Sequence, residues 1–168
     1  MSAKAEATKP GHGERPILAT TGYEGASLER FIATLRAAGI TLVLDVRELP
    51  WSRRREFTKN RLNEALAGAR IGYMHRKSLG TPKAGRDAAK AGDRATFQTI
   101  LASQLDSAEG RAALAEAAAL AQEGGLCLLC YERDPRQCHR SDVALRLAAL
   151  TPLEIRDLDS AAGPDHRS

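Results

Sequence analysis

Short apolar segments alternate with longer amphipathic segments along most of the chain, a pattern typical of strands alternating with helices. The amphipathic segments repeat their apolar positions at helical spacing, and the first of them follows Ser27, a residue suited to cap a helix. The short segments are rich in branched apolar residues and predict strands. These predicted strands are 17–21, 40–46, 71–75, 126–131 and 153–158.

The composition of these segments also predicts how they assemble. Residues 40–46 and 126–131 are almost continuously apolar, as in strands covered on both faces of a parallel sheet, whereas 153–158 alternates like an edge strand. We therefore predict one α/β domain over 16–159, a three-layer sandwich with a mainly parallel sheet of four or five strands. Residues 1–15 and 160–168 are predicted flexible tails, and 77–92 a long surface loop with few apolar residues.

Length and composition are those of an ordinary globular domain. The 168 residues are 43% hydrophobic and 27% charged, which argues against a disordered or fibrous chain. No apolar run is long enough to span a membrane, and the first residues lack the apolar core of a secretory signal. An odd number of cysteines, three, fits a reducing compartment. We expect a cytoplasmic protein that needs neither disulfides nor a metal to fold.

Positive charge is concentrated in one part of the chain. Between Trp51 and Arg94 there are twelve Lys and Arg residues and four acidic ones, a net charge of +8, whereas the whole chain carries +4. Such asymmetry favours an anionic partner, for example a phosphate-bearing one. A plain solvated surface is the alternative, and both interpretations stay open here.

Ionisable and aromatic residues follow the predicted strands. Because ligands of open parallel sheets bind beyond the carboxyl ends of the strands, these segments are expected to share one pocket. The candidate ligand-binding residues, several of them suited to anions or to stacking on a base, are Tyr23, Glu24, Asp45, Arg47, Ser52, Arg53, Lys59, Tyr73 and Arg140.

The three cysteines are expected to differ in role. Cys127 and Cys130 lie three apart in a predicted strand, so they face opposite sides and cannot share a metal or a disulfide there. Cys127 is therefore interpreted as a small buried hydrophobe. Cys130 ends the strand and Cys138 precedes a helix, so both can face one crevice, where exposed helix N–H groups and Arg140 would favour a thiolate.

The candidate catalytic residues are Cys138, His139, Glu132, His75 and Cys130. A zinc site of Cys130 and Cys138 with His75 or His139 is chemically allowed, although no cofactor is predicted outright. A structural alternative also stays open, in which Cys138 only caps a turn and His139 bonds a backbone carbonyl. A cysteine-phosphatase loop starting at Cys130 is rejected, because the acidic residues that follow would repel a dianion.

Several of these pieces, in order along the chain, resemble the domain of unknown function 488 family. The resemblance implies a small bacterial or archaeal cytosolic protein with a polar pocket. It does not imply any particular activity. The matching pieces are 21–25 with Ser27 and Phe31; Gly39 and Ile40; 45–47 with Pro50, Ser52, Arg53, Phe57 and Lys59; Gly72, Tyr73, His75, Leu79 and Gly80; and Cys130, Glu132 and 138–140.

Three functions remain after the sequence has been considered. The leading hypothesis is an enzyme acting on a phosphate-bearing ligand, a nucleotide or nucleic acid, with Arg47, Arg53 and Arg140 placing the anion and the Cys/His/Glu residues moving protons or attacking. The second is a non-catalytic nucleic-acid-binding module. The third is a zinc-binding protein with cysteine and histidine ligands.

Overall fold

The structure is a computed structural model that describes residues 13–164 of the chain. Strands and helices alternate in the predicted order, and Ser27 caps the first helix through its side chain, which accepts a hydrogen bond from Arg30 N at 3.1 Å. The elements are β1 (Ile17–Gly22), α1 (Leu28–Ala37), β2 (Leu42–Asp45), α2 (Lys59–Gly68), β3 (Gly72–His75), α3 (Lys83–Lys90), α4 (Arg94–Asp106), α5 (Ala108–Gln122), β4 (Leu126–Cys130), α6 (Arg140–Leu150) and β5 (Glu154–Leu158).

All five strands run parallel in one sheet, in the order β3-β2-β4-β1-β5. The central strand β4 is buried at every residue, which explains its continuous apolar sequence. Strand β5 lies at an edge, has exposed positions and alternates in sequence. Because the strands are parallel, their carboxyl ends all lie along one edge of the sheet, called here the carboxyl edge.

Helices cover both faces of the sheet, so the predicted three-layer α/β sandwich is confirmed. One face packs on α1 and α2 through residues such as Phe31 and Leu62, and the other packs on α4, α5 and α6 through residues such as Leu101 and Val143. Cys127 belongs to the first core and Cys130 to the second, as alternation along a strand requires.

The prediction of a long loop over 77–92 is wrong. A short 3₁₀ turn, Lys77–Leu79, is followed by helix α3, and Leu79 is fully buried. Pro82 occupies the N-cap of α3, so its missing N–H costs no helical hydrogen bond. Gly85 lets α3 approach α4, because a Cβ there would lie 3.2 Å from Ile100. The low apolar content of residues 77–92 is therefore explained by a helix that packs through small residues, glycine and alanine.

The ordered domain ends slightly later than predicted. Ser160 and Ala161 are buried, and the Ser160 hydroxyl lies 2.5 Å from the hydroxyl of Thr21 on β1, so the segment after β5 folds back onto the sheet. The tail predicted from residue 160 thus overlaps the packed domain. Most of the tail predicted over 1–15, and residues 165–168, lie outside the described residues. None of the helices between residues 13 and 164 is long and apolar enough to cross a membrane.

Candidate metal centre at the carboxyl edge

Two thiols and one imidazole meet where β4 ends and α6 begins. Cys130 is the last residue of β4, Cys138 follows a 3₁₀ turn, and His139 is the N-cap residue of α6. The Sγ atoms of Cys130 and Cys138 lie 3.5 and 4.0 Å from His139 Nδ1. The three ligand atoms all lie within 4.8 Å of one another, and we call these residues the thiol–imidazole cluster.

A backbone carbonyl orients the imidazole. His139 Nε2 lies 2.7 Å from the carbonyl oxygen of Val46, in the segment that follows β2. A carbonyl only accepts hydrogen bonds, so Nε2 carries the hydrogen and donates it. The lone pair of Nδ1 in the neutral ring therefore faces the two sulfurs. Outer hydrogen bonds of this kind also orient metal-ligating histidines.

Without a metal, the surroundings shift the pKa values of the two thiols in opposite directions. A hydrogen bond with Cys138 and burial raise the pKa of Cys130 well above its ordinary value. Burial would also raise the pKa of Cys138, but hydrogen bonds from Cys130 and His139 and the positive charge of His139 and Arg140 hold it well below its usual range. Burial opposes charge on His139, yet its bond to Cys138 raises the ring's pKa. Both shifts, a lowered pKa for Cys138 and a raised one for His139, are in the direction of a thiolate beside an imidazolium.

Glu132 borders the cluster without belonging to it. Its Oε2 lies 3.5 Å from Cys130 Sγ, while the group within 4.8 Å contains only the two sulfurs and the imidazole. Burial, followed by the negative charge of Cys138, raises the pKa of Glu132 from 4.5 to about 7. The carboxyl is half-buried, whereas the three cluster residues are buried.

The spacing of the cluster fits a tetrahedral zinc ion. Zinc bonds of about 2.3 Å to sulfur and 2.0–2.1 Å to nitrogen separate a tetrahedral S–N ligand pair by about 3.6 Å. The two observed S–N distances, 3.5 and 4.0 Å, bracket that value. A zinc ion held by these three ligands would keep a fourth position for another ligand, and Glu132 lies next to one of the three, with Oε2 3.5 Å from Cys130 Sγ.

A second polar group lies on the other side of β2. The carboxylate of Asp45 is fully buried and accepts two hydrogen bonds from the Arg47 guanidinium, at 2.9 and 2.7 Å. Tyr73 donates to the same carboxylate at 2.5 Å, and Arg47 donates to the Tyr23 hydroxyl at 3.3 Å. Burial and Asp45 raise the pKa of the Tyr73 phenol. His75 lies against the carbonyl of Arg47, at 2.7 Å, and stands outside the thiol–imidazole cluster.

The buried guanidinium groups of Arg47 and Arg140 donate hydrogen bonds to other groups of the protein. Every nitrogen of the Arg47 guanidinium contacts Asp45 or Tyr23. Arg140 is fully buried, and its three nitrogens donate to the Thr20 hydroxyl and to the carbonyls of Glu132 and Arg133. Arg140 therefore holds in place the loop that carries Glu132. Both guanidinium groups are thus buried, and each of their nitrogens donates a hydrogen bond within the protein.

The remaining candidates lie around these two groups. Arg53 and Lys59 are exposed, and Ser52 is buried and accepts from Arg54 N at 3.1 Å. Glu24 accepts from Arg133 N at 3.1 Å and lines a groove of roughly 440 Å³ with the Arg133–Asp159 ion pair. The candidates thus meet along one edge, but in two adjacent groups instead of one pocket.

Two features of the site have no signal in the sequence. The carbonyl of Val46 orients His139, and backbone atoms leave no trace in a residue pattern. Gly22 permits β1 to lie against the Glu132 loop, since a Cβ there would be 1.7 Å from the Glu132 carbonyl oxygen. Phe57 is fully buried and is therefore a core aromatic, whereas Tyr131 is 45% exposed and lies at the surface.

The fold and site define an α/β protein with a Cys/Cys/His cluster at the carboxyl edge of a parallel sheet. A family model, "Domain of unknown function DUF488", matches residues 27–147, and the chain belongs to that family. The match covers α1 through most of α6 and includes the whole cluster. No curated protein and no solved structure matches the chain.

Proposed function

We propose that this protein binds one zinc ion through Cys130, Cys138 and His139, at a centre of the hydrolytic type. The observation that carries the proposal is the position of His139 Nδ1, at 3.5 and 4.0 Å from two sulfurs, while Nε2 is held by a backbone carbonyl. Mixed sulfur and nitrogen ligands at these spacings suit zinc. Thiolates and a neutral imidazole are the forms that coordinate it.

Three protein ligands and a neighbouring carboxylate are the arrangement of a catalytic zinc site. When bound, zinc would lower the pKa of a water molecule in the fourth position. Glu132 would accept that proton at Oε2, because its carboxyl borders the cluster and is more accessible than any of the three cluster residues. Arg140 positions this residue by donating to its backbone carbonyl.

The test is metal analysis of untagged protein purified without chelator. We expect about one zinc per chain, lost in Cys130→Ala and Cys138→Ala. Cys127→Ala is the matched control, because Cys127 is buried in the opposite core and should leave the zinc content unchanged. Cobalt exchange should give a thiolate charge-transfer band in the wild type and in the control only.

Two results would reject the zinc centre. One is wild-type protein that neither contains zinc nor takes it up when zinc is added. The other is equal loss of metal from all three cysteine variants, which would indicate unfolding or adventitious binding. Circular dichroism of each variant separates unfolding from loss of a ligand.

A metal-free thiol enzyme acting on a phosphate-bearing ligand is the second candidate function. It is favoured by the Cys138–His139 pair, in which the thiol's pKa is well below its usual range. The burial of Arg47 and Arg140 weighs against it, because both guanidinium groups are withdrawn from solvent and already bond to partners within the protein. Alkylation separates the two functions. Cys138 should react only after chelation if zinc is bound, and at once if it is a free nucleophile.

A further inference from the structure

An exposed basic and aromatic surface lies between the end of β2 and the first turn of α2. Trp51 is 66% exposed and Leu49 is 56% exposed, so two large apolar side chains two residues apart face solvent here. Four exposed cations accompany them: Arg53, Arg55, Lys59 and Arg61. Within residues 13–164 none of these four forms an ion pair, although neighbouring Arg54 pairs with Glu56.

Packing holds this segment in place. Arg54 donates to the backbone carbonyl of Tyr23 at 3.3 Å and lies 4.6 Å from the centre of the Phe57 ring. Phe57 in turn stacks on Tyr23 at 4.4 Å. Because Arg54 and Phe57 are anchored inward, the exposed side chains of Arg53 and Arg55 stay at the surface. The backbone that carries them is therefore held against the core.

A second exposed aromatic belongs to the same neighbourhood. Tyr131, which follows β4, packs edge-on against Tyr23 at 5.3 Å and remains 45% exposed. The carboxyl edge thus offers unpaired cations together with exposed aromatic rings. Cations attract phosphates, and exposed rings offer stacking faces to unpaired bases. A duplex buries its base faces, and an acidic peptide has none.

We infer that this surface binds single-stranded nucleic acid, with phosphates on the four cations and a base stacked on Trp51. The inference does not depend on the zinc centre, since neither Trp51 nor the cations belong to the cluster. If all four cations contact phosphates, the logarithm of the affinity falls with the logarithm of salt with a slope of about −2.8. Affinity should then drop about 50-fold between about 50 and 200 mM salt.

Trp51 is the chain's one tryptophan, so its fluorescence reports directly on this surface. The probe is a short oligothymidylate, titrated into full-length protein with a duplex of equal length and polyglutamate as competitors. We expect the oligothymidylate to quench Trp51 and to bind more tightly than either competitor. Repeating the titration after chelation distinguishes this surface from the zinc centre, because the quenching should persist.

Paired substitutions test the assignment of the cations. Arg53→Ala with Arg55→Ala should halve the salt slope, to about −1.4, and weaken binding at low salt. The matched control is Arg15→Ala with Arg36→Ala, two exposed arginines at the opposite edge of the sheet, where β1 begins and α1 ends. The control should bind as the wild type does. Equal slopes for both double variants, no quenching at low salt, or binding of polyglutamate as tight as that of the oligonucleotide would overturn the inference.

Discussion

Replacement of Glu132 by Gln in the metal-free protein should change how stability depends on pH. The folded protein raises the pKa of this carboxyl from 4.5 to about 7, chiefly through burial. A raised pKa means that the folded state binds the proton more tightly than the unfolded state does. The contribution is therefore fully present below pH 4.5 and is lost as pH rises through about 7.

The size of the effect follows from those two pKa values. Between about pH 5 and pH 8 the wild type should lose about 2.5 kcal/mol of stability because of this group. Glutamine does not ionise, so E132Q should lack that loss. The variant should then be more stable than the wild type near pH 8, and closer to it near pH 5.

Urea unfolding of chelator-treated protein at several pH values measures this difference. Glu123→Gln is the control, because Glu123 is exposed at the end of α5, far from the carboxyl edge. Its stability should follow the wild-type pH dependence. If E132Q and the wild type show parallel pH profiles, the carboxyl is not buried as described, and the reasoning about this site fails.

Two further predictions concern the supports of the site. Asp45→Asn should destabilise the protein by about 3–5 kcal/mol in urea unfolding, because it leaves the buried Arg47 guanidinium without its counter-charge. The exposed Asp87→Asn, which removes an ion pair within α3, should leave the midpoint unchanged, and equal effects would contradict the argument. Gly22→Ala should displace the Glu132 carbonyl and weaken zinc binding in a metal titration, whereas Gly68→Ala, with open space around it, should not. Unchanged zinc affinity in Gly22→Ala would show that this close contact does not position the site.

Most of the fold was predictable because its signals are local. A strand buried on both faces reads as an apolar run, as in β4, and a capped amphipathic segment reads as a helix, as after Ser27. Helix α3 was missed because it packs through Gly85 and the half-buried Ala88, so it lacks the apolar stripe on which the prediction depends. Its neighbour α4 supplies the apolar partner.

The candidate site was predictable only in part. Alternation along a strand placed Cys127 and Cys130 on opposite faces, and the structure agrees. The choice of His139 over His75 as the third member of the cluster could not be made in advance. It depends on Val46, whose carbonyl belongs to the segment after β2, and a backbone group is not visible in any pattern of side chains.

The sequence by itself determined which segments become strands and helices, and which polar residues follow the strands, because spacing and burial along one element decide both. Only the tertiary structure decided the strand order, the partners of Arg47 and Arg140, and the meeting of Cys130, Cys138 and His139. Arg140 contacts Thr20, far away in sequence, and β4 lies between β1 and β2. Such contacts depend on how whole elements pack, so no local pattern specifies whether an arginine at a strand end binds a ligand or supports the fold.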